Sequence, residues 1–131
     1  MKALDTNVLI RYLVQDDPKQ GRKAAAYIEG AAASGEQILI SNIVCCETVW
    51  VLDSAYGYSK AEIESTLEKI LQSSTFQFEA KDVVWAAFEE YRSGNADFAD
   101  YLIGRVHLAF GCEPTATFDA ALRRLATFQM L

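Results

Sequence analysis

Short runs of strand-forming residues alternate along this chain with longer segments of helical period. That alternation fixes the fold class. Lys2-Ala-Leu-Asp5 reads as an opening strand, followed after Thr6-Asn7 by Val8, Leu9, Tyr12 and Leu13 at helical spacing. Asp17-Pro18 starts a second helix, with Asp as N-cap and Pro in the first turn. Ala24, Ala25, Ile28, Ala31 and Ala32 mark its face, and Gly35 closes it. A strand at 37–40 precedes a Ser41-Asn42 cap and a helix to about Ala55, ended by Gly57. Ser59-x-x-Glu62 is a capping box ahead of Ile63, Leu67, Ile70 and Leu71. Residues 75–78 alternate like a strand. Val83, Val84, Ala87, Phe88 and Tyr91 mark a further helix that Gly94-Asn95 closes. Another helix is predicted from about Asp97 to Phe110. An extended segment at 114–118, a short helix at 119–126 and a last strand at 127–131 complete the chain. Strands interleaved with helices predict an α/β fold with three layers, a central mainly parallel sheet between helices. No repeat, low-complexity tract or linker interrupts residues 1–131, which read as one domain.

Composition narrows the functional classes. The chain has 131 residues, 51% of them hydrophobic, with 12 Lys and Arg against 18 Asp and Glu. A compact core is affordable at this length, and intrinsic disorder is excluded. The longest apolar stretch, 43–52, is broken by Glu47 and Thr48 and falls short of the roughly 20 residues a membrane helix needs. With no signal-peptide core at the N-terminus, a cytoplasmic protein without membrane contact is the expectation. The three cysteines, Cys45, Cys46 and Cys112, include no C-x-x-C, so a zinc knuckle or thioredoxin-like pair is not indicated. They read as buried thiols. A single histidine, His107, excludes any multi-histidine metal site. A net charge of −6 argues against a broad basic nucleic-acid surface, though not against a nuclease that gathers acids around metal ions.

The chemistry-bearing residues are acids. In an open parallel sheet, ligands bind beyond the carboxyl ends of strands, where Asp5 and Asp119 fall. On position alone, a helix cap is the commoner explanation of either. Glu47 shares a helix face with Ile43, Val44 and Val51. A carboxylate on an apolar face needs a metal, a proton or an ion pair, unless the helix is turned to expose it. Asp97 and Asp100 open the next helix, where acids also answer the helix dipole. Carboxylates without a histidine or cysteine cluster suit a hard cation such as Mg²⁺ or Mn²⁺.

Taken in order, Leu4-Asp5-Thr6-Asn7-Val8-Leu9, Glu47, Asp97-Phe98-Ala99-Asp100-Tyr101-Leu102-Ile103 and Thr117-Phe118-Asp119 resemble the four motifs of PIN-domain ribonucleases. The chain is most similar to the VapC-type toxins of bacterial toxin–antitoxin systems. The resemblance spans essentially the whole sequence and implies a metal-dependent endoribonuclease. On it, Asp5, Glu47, Asp100 and Asp119 are the catalytic, metal-holding acids, for Mg²⁺ or Mn²⁺. Asp97 is an accessory acid. Thr6, Asn7 and Thr117 would orient the carboxylates by hydrogen bonds. The resemblance also implies an RNA substrate (transfer or ribosomal RNA), a cognate antitoxin protein and a homodimer. Trp50, Tyr56, Tyr12 and Phe88 are candidate interface aromatics, with core packing the ordinary alternative.

An acidic ribonuclease still has to attract RNA. Arg11, Lys19, Arg22 and Lys23 form the densest basic group, and Arg123-Arg124 follow Asp119 by one turn. These are candidate phosphate contacts, or solvated helix faces. The competing reading is a PIN-like interaction module without catalysis. A haloacid-dehalogenase-like phosphatase needs Asp-x-Asp after the first strand, and position 7 is Asn. A P-loop is absent.

Overall fold

A computed structural model describes residues 1–131. Its contacts fall into two compact units, Met1–Glu79 and Ala80–Leu131. The α/β class and the parallel sense of the strands hold throughout.

The first unit is a three-stranded parallel sheet with four helices. Strands β1 (Lys2–Ala3), β2 (Ile38–Ile40) and β3 (Phe76–Phe78) lie in the order β1-β2-β3. Lys2 sits opposite Ile38, and Ile38 and Ile40 sit opposite Phe76 and Phe78. The middle strand is the most apolar, as expected where both faces are covered. Ile38 and Ile40 are essentially sealed from solvent.

Between β1 and β2 run α1 (Thr6–Val14) and α2 (Pro18–Ala33); between β2 and β3 run α3 (Asn42–Ser54) and α4 (Lys60–Gln72). The caps fall where the sequence places them. Asp5 Oδ1 accepts from Val8 N, Asp17 Oδ1 from Gln20 N, and Ser41 Oγ from Val44 N. Gln15 closes α1 in the left-handed region, and Gly35 and Gly57 follow α2 and α3 with positive φ. At α4 both halves of the capping box form: Glu62 N donates to Ser59 Oγ, and Ser59 N donates to Glu62 Oε1. Removing this hydroxyl (Ser59→Ala) is expected to lower the unfolding free energy by about 1 kcal/mol. Urea denaturation should show the shift as a lower midpoint at unchanged slope.

The second unit holds α5 (Lys81–Ser93), α6 (Phe98–Ala109) and a parallel pair, β4 (Thr115–Thr117) with β5 (Phe128–Met130). Helices α5 and α6 pack through aromatic edges. Tyr91 meets Phe98 at 5.8 Å between ring centroids and 90°, and Tyr101 at 6.4 Å. Arg105 Nε donates to Glu90 Oε1 at 2.7 Å, bridging the same pair of helices. The helix anticipated at 119–126 is shorter than its composition suggests. Only Ala120–Leu122 form a 3-10 turn, because Leu122 alone of that segment reaches the core and one apolar anchor cannot sustain several turns.

Two packing expectations change. Of the thiols, Cys45 is buried and pushed up to about 12 by desolvation, and Cys46 is half-buried. Cys112, however, is exposed just past the end of α6. Among the aromatics, Phe88 is fully buried. Tyr12 packs edge-on against Phe76, and Tyr56 is held by Arg11 and Asp16. Trp50 is not core: 69% of it is exposed on α3.

Candidate active site

Asp5 lies two residues beyond β1 and caps α1. One residue on, Thr6 Oγ1 donates to Glu47 Oε1 at 2.7 Å. This bond joins the start of α1 to the middle of α3 and brings Asp5 and Glu47 to neighbouring positions in the first unit. Thr6 therefore orients a carboxylate, where its position alone favours a cap or turn role. Glu47, in contrast, does not face the core. The buried stripe of α3 is Val44, Cys45, Thr48, Val49 and Leu52. The helix is rotated so that Glu47 shares its open face with Ile43 and Trp50, both largely exposed. The mean apolarity of α3 hid which side was buried, because apolar residues lie all round it.

Asn7 is exposed and lines a cleft of about 450 Å³ beside Asp5, which Arg11 and Lys23 also line. Arg11 is not a free cation. It pairs with Asp16 at 3.2 Å, donates to Tyr56 Oη at 2.9 Å and donates through Nε to Gln20 Oε1. Tyr56 in turn donates to Asp16 Oδ2. Sequence reading missed this network, whose Tyr56 lies 40 residues from Asp16 and 45 from Arg11. The Tyr56 hydroxyl and the Arg11 charge hold the Asp16 carboxyl below its ordinary range. Lys19 and Arg22 are exposed along α2, with no carboxylate bound.

The second unit carries the other acids. Asp97 stands at the N-cap of α6 but caps nothing through its side chain, and Asp100 lies in the first turn. Asp119 Oδ1 accepts from Ala121 N. Thr117 Oγ1 accepts from Asp119 N, so Thr117 fixes the backbone of Asp119 and not its carboxylate. Arg123 and Arg124 line a smaller cleft with Asn95 and make no ion pair.

Burial, and then the charges of Asp97 and Asp119, push the Asp100 carboxyl above its usual range. No lysine or arginine bridges any of the three. An acid whose folded pKa is raised is penalised once ionised. The fold therefore loses stability as pH rises from the ordinary aspartate range through the raised value. Asp100→Asn is expected to unfold at a higher temperature than the parent at pH 7. The gap should close on acidification, as followed by circular dichroism melts.

No three His, Cys, Asp or Glu side chains form a group that could by itself hold a metal ion. The donor set nevertheless fits Mg²⁺ or Mn²⁺. Every candidate ligand is a carboxylate oxygen, and Mg²⁺ is commonly held by one or two carboxylates with waters and substrate phosphates completing its shell.

Comparison with known proteins identifies the architecture. Residues 2–127 match the PIN domain. The chain belongs to the PIN-domain family. The match includes residues of both units. The PIN domain described here is similar to a VapC ribonuclease of Aquifex aeolicus (strain VF5). The two are 26% identical over 125 residues, covering 95% of this chain and 92% of that protein. No solved structure matches it. No helix of this PIN domain is long and apolar enough to cross a membrane.

Proposed function

We propose that this chain is a metal-dependent endoribonuclease, the toxin of a toxin–antitoxin pair. The observation that carries this reading is the Thr6–Glu47 hydrogen bond. It ties a glutamate from α3 to the residue that follows Asp5, and Asp5 and Glu47 are two of the four acids that the family resemblance implies. The similarity to a VapC ribonuclease over most of both chains supports it.

In this reading Asp5, Glu47, Asp100 and Asp119 hold Mg²⁺ or Mn²⁺, with Asp97 as an accessory acid. When bound, the cation supplies the charge that makes water a nucleophile near neutral pH and offsets charge building on the phosphodiester. The chain's own part is positional. Asp5 is anchored by the cap of α1, Asp119 by its cap and by Thr117, and Glu47 by Thr6. Such anchoring holds the acids in place before substrate arrives, so little reorganisation is needed during reaction. The substrate is RNA, transfer or ribosomal. The protein works in the cytoplasm, as a homodimer silenced by a cognate antitoxin.

The test is cleavage of total cellular RNA by purified protein in Mn²⁺, Mg²⁺ or EDTA, with cut sites mapped by end sequencing. Discrete cuts that need the metal establish the activity. Folded, antitoxin-free protein that makes no cuts and binds no Mn²⁺ in calorimetry would instead be a PIN-type interaction module. Within the same assay, Thr6→Val is expected to lower kcat about 10–100-fold with little change in melting temperature. Thr6→Ser, which keeps the hydroxyl, should retain most activity.

A further inference from the structure

Glu79 is an acid at the carboxyl end of β3 that the four motifs leave unused. Its place follows from the sheet. Ile40 of β2 sits opposite Phe78 of β3, and both are buried. The residues that follow are thereby held side by side: Ser41 and Asn42, which begin α3, and Glu79. Glu79 Oε1 accepts from Asn42 N at 2.6 Å. Asn42 is the first residue of α3, so this N–H has no partner within the helix. A carboxylate there also answers the positive end of the helix dipole. Ser41 Oγ accepts from Val44 N, but Ser41 belongs to the same stretch of chain and moves with the helix. Hydrogen bonds from other elements reach α3 at two points. Thr6 holds the Glu47 carboxylate, and Glu79 holds the first N–H.

We infer that Glu79 is a positioning residue of the candidate nuclease site, one that sets the placement of α3 and, through it, the placement of Glu47. The inference rests on the ribonuclease reading. Thr6 holds only the tip of the Glu47 side chain; the backbone of Glu47 goes where α3 goes. Apolar residues lie all round α3, so burial alone chooses neither its rotation nor its level along the axis. A slip of one residue shifts each side chain by about 1.5 Å along a helix axis and about 100° around it. Catalytic geometry tolerates far less than that. The end of β3 gives α3 a fixed point of reference, because the parallel ladder ties β3 to β2. In this role Glu79 touches neither substrate nor cation. The role needs an oxygen at the right reach, charged or not.

The experiment compares Glu79→Ala, Glu79→Gln and Glu79→Asp with the parent, in RNA cleavage with Mn²⁺ and in calorimetric binding of Mn²⁺ without RNA. Glutamine keeps the reach and loses the charge. Aspartate keeps the charge and falls short by one methylene. Glu79→Ala is expected to lower kcat and weaken Mn²⁺ binding by about 10-fold or more, with KM for RNA within about twofold, as when a ligand loses its orienting partner. Glu79→Gln should stay within about threefold of the parent on both readouts, and Glu79→Asp should fall with Glu79→Ala. Ser59→Ala is the control for stability alone. It uncaps α4, which carries no candidate ligand, and should leave kcat and Mn²⁺ affinity unchanged. Parent-like kcat and Mn²⁺ affinity in Glu79→Ala overturn the inference and leave Glu79 as a helix cap. The reverse order, with Glu79→Asp active and Glu79→Gln impaired, also overturns it, since the site would then use the charge itself. So does an equal loss in Ser59→Ala, which would trace the effect to stability. If Glu79→Ala does not fold, the glutamine and aspartate variants decide between them. A parent that neither cuts RNA nor binds Mn²⁺ removes the ribonuclease reading and this inference with it. A parent that cuts RNA beside an equally active Glu79→Ala removes the inference only.

Discussion

Asp5→Asn is expected to abolish RNA cleavage while leaving the fold intact. The reason lies in the two roles of this side chain. As a cap, Asp5 needs only an oxygen to accept from Val8 N, and asparagine offers one as effectively. As a candidate ligand it needs its charge, which asparagine lacks. Losing several kcal/mol of cation binding and charge neutralisation corresponds to a fall of about a thousandfold in rate. Asp5→Ala should lose the same activity and, in addition, about 1 kcal/mol of stability with the cap. Measuring kcat and denaturation midpoint for both variants separates the roles. Retained cleavage in Asp5→Asn would remove Asp5 from the catalytic set.

Phe88→Ala is expected to have the largest effect on stability. Phe88 is fully buried in α5. Its ring meets Trp85 edge-on at 5.6 Å and carries the Arg92 guanidinium 5.2 Å from its centroid. Truncation removes that burial and leaves a cavity, together worth about 3–5 kcal/mol. For a chain of this size the melting temperature should fall by roughly 10 °C or more. Since α5 packs on α6, which carries Asp97 and Asp100, the loss should also appear as reduced activity well below the melting point. A fall of less than about 1 kcal/mol would show that this core refills easily.

Local chemistry explains which features were legible in the sequence. Asp17-Pro18, Ser59-x-x-Glu62 and the glycines after α2 and α3 act within one turn, so their patterns carry over directly into caps. The alternation of Phe76-Gln77-Phe78 likewise appears as buried, exposed, buried. The failures have a common cause. Which side of α3 is covered depends on what packs against it, and with apolar residues at 43, 44, 45, 49, 50, 51 and 52 the helix gives no preferred face. Glu47 was thus singled out for a burial it does not have, and it is held by Thr6, 41 positions away. Arg11 is held partly by a residue 45 positions along the chain, Tyr56, which also fixes its near partner Asp16. The acids themselves were identified by motif order.

The rotation of α3 also equips the protein with an internal dye. Of the two tryptophans, Trp85 is half-buried and Trp50 stands in solvent on the Glu47 face, close to one turn from the carboxylate. An indole in water emits at longer wavelength than one in a core and is readily quenched by acrylamide. Its signal is therefore separable from that of Trp85 without any label. Whatever settles on that face of α3 will shield the indole and shift its emission, so titrations can be followed in the native chain by light alone.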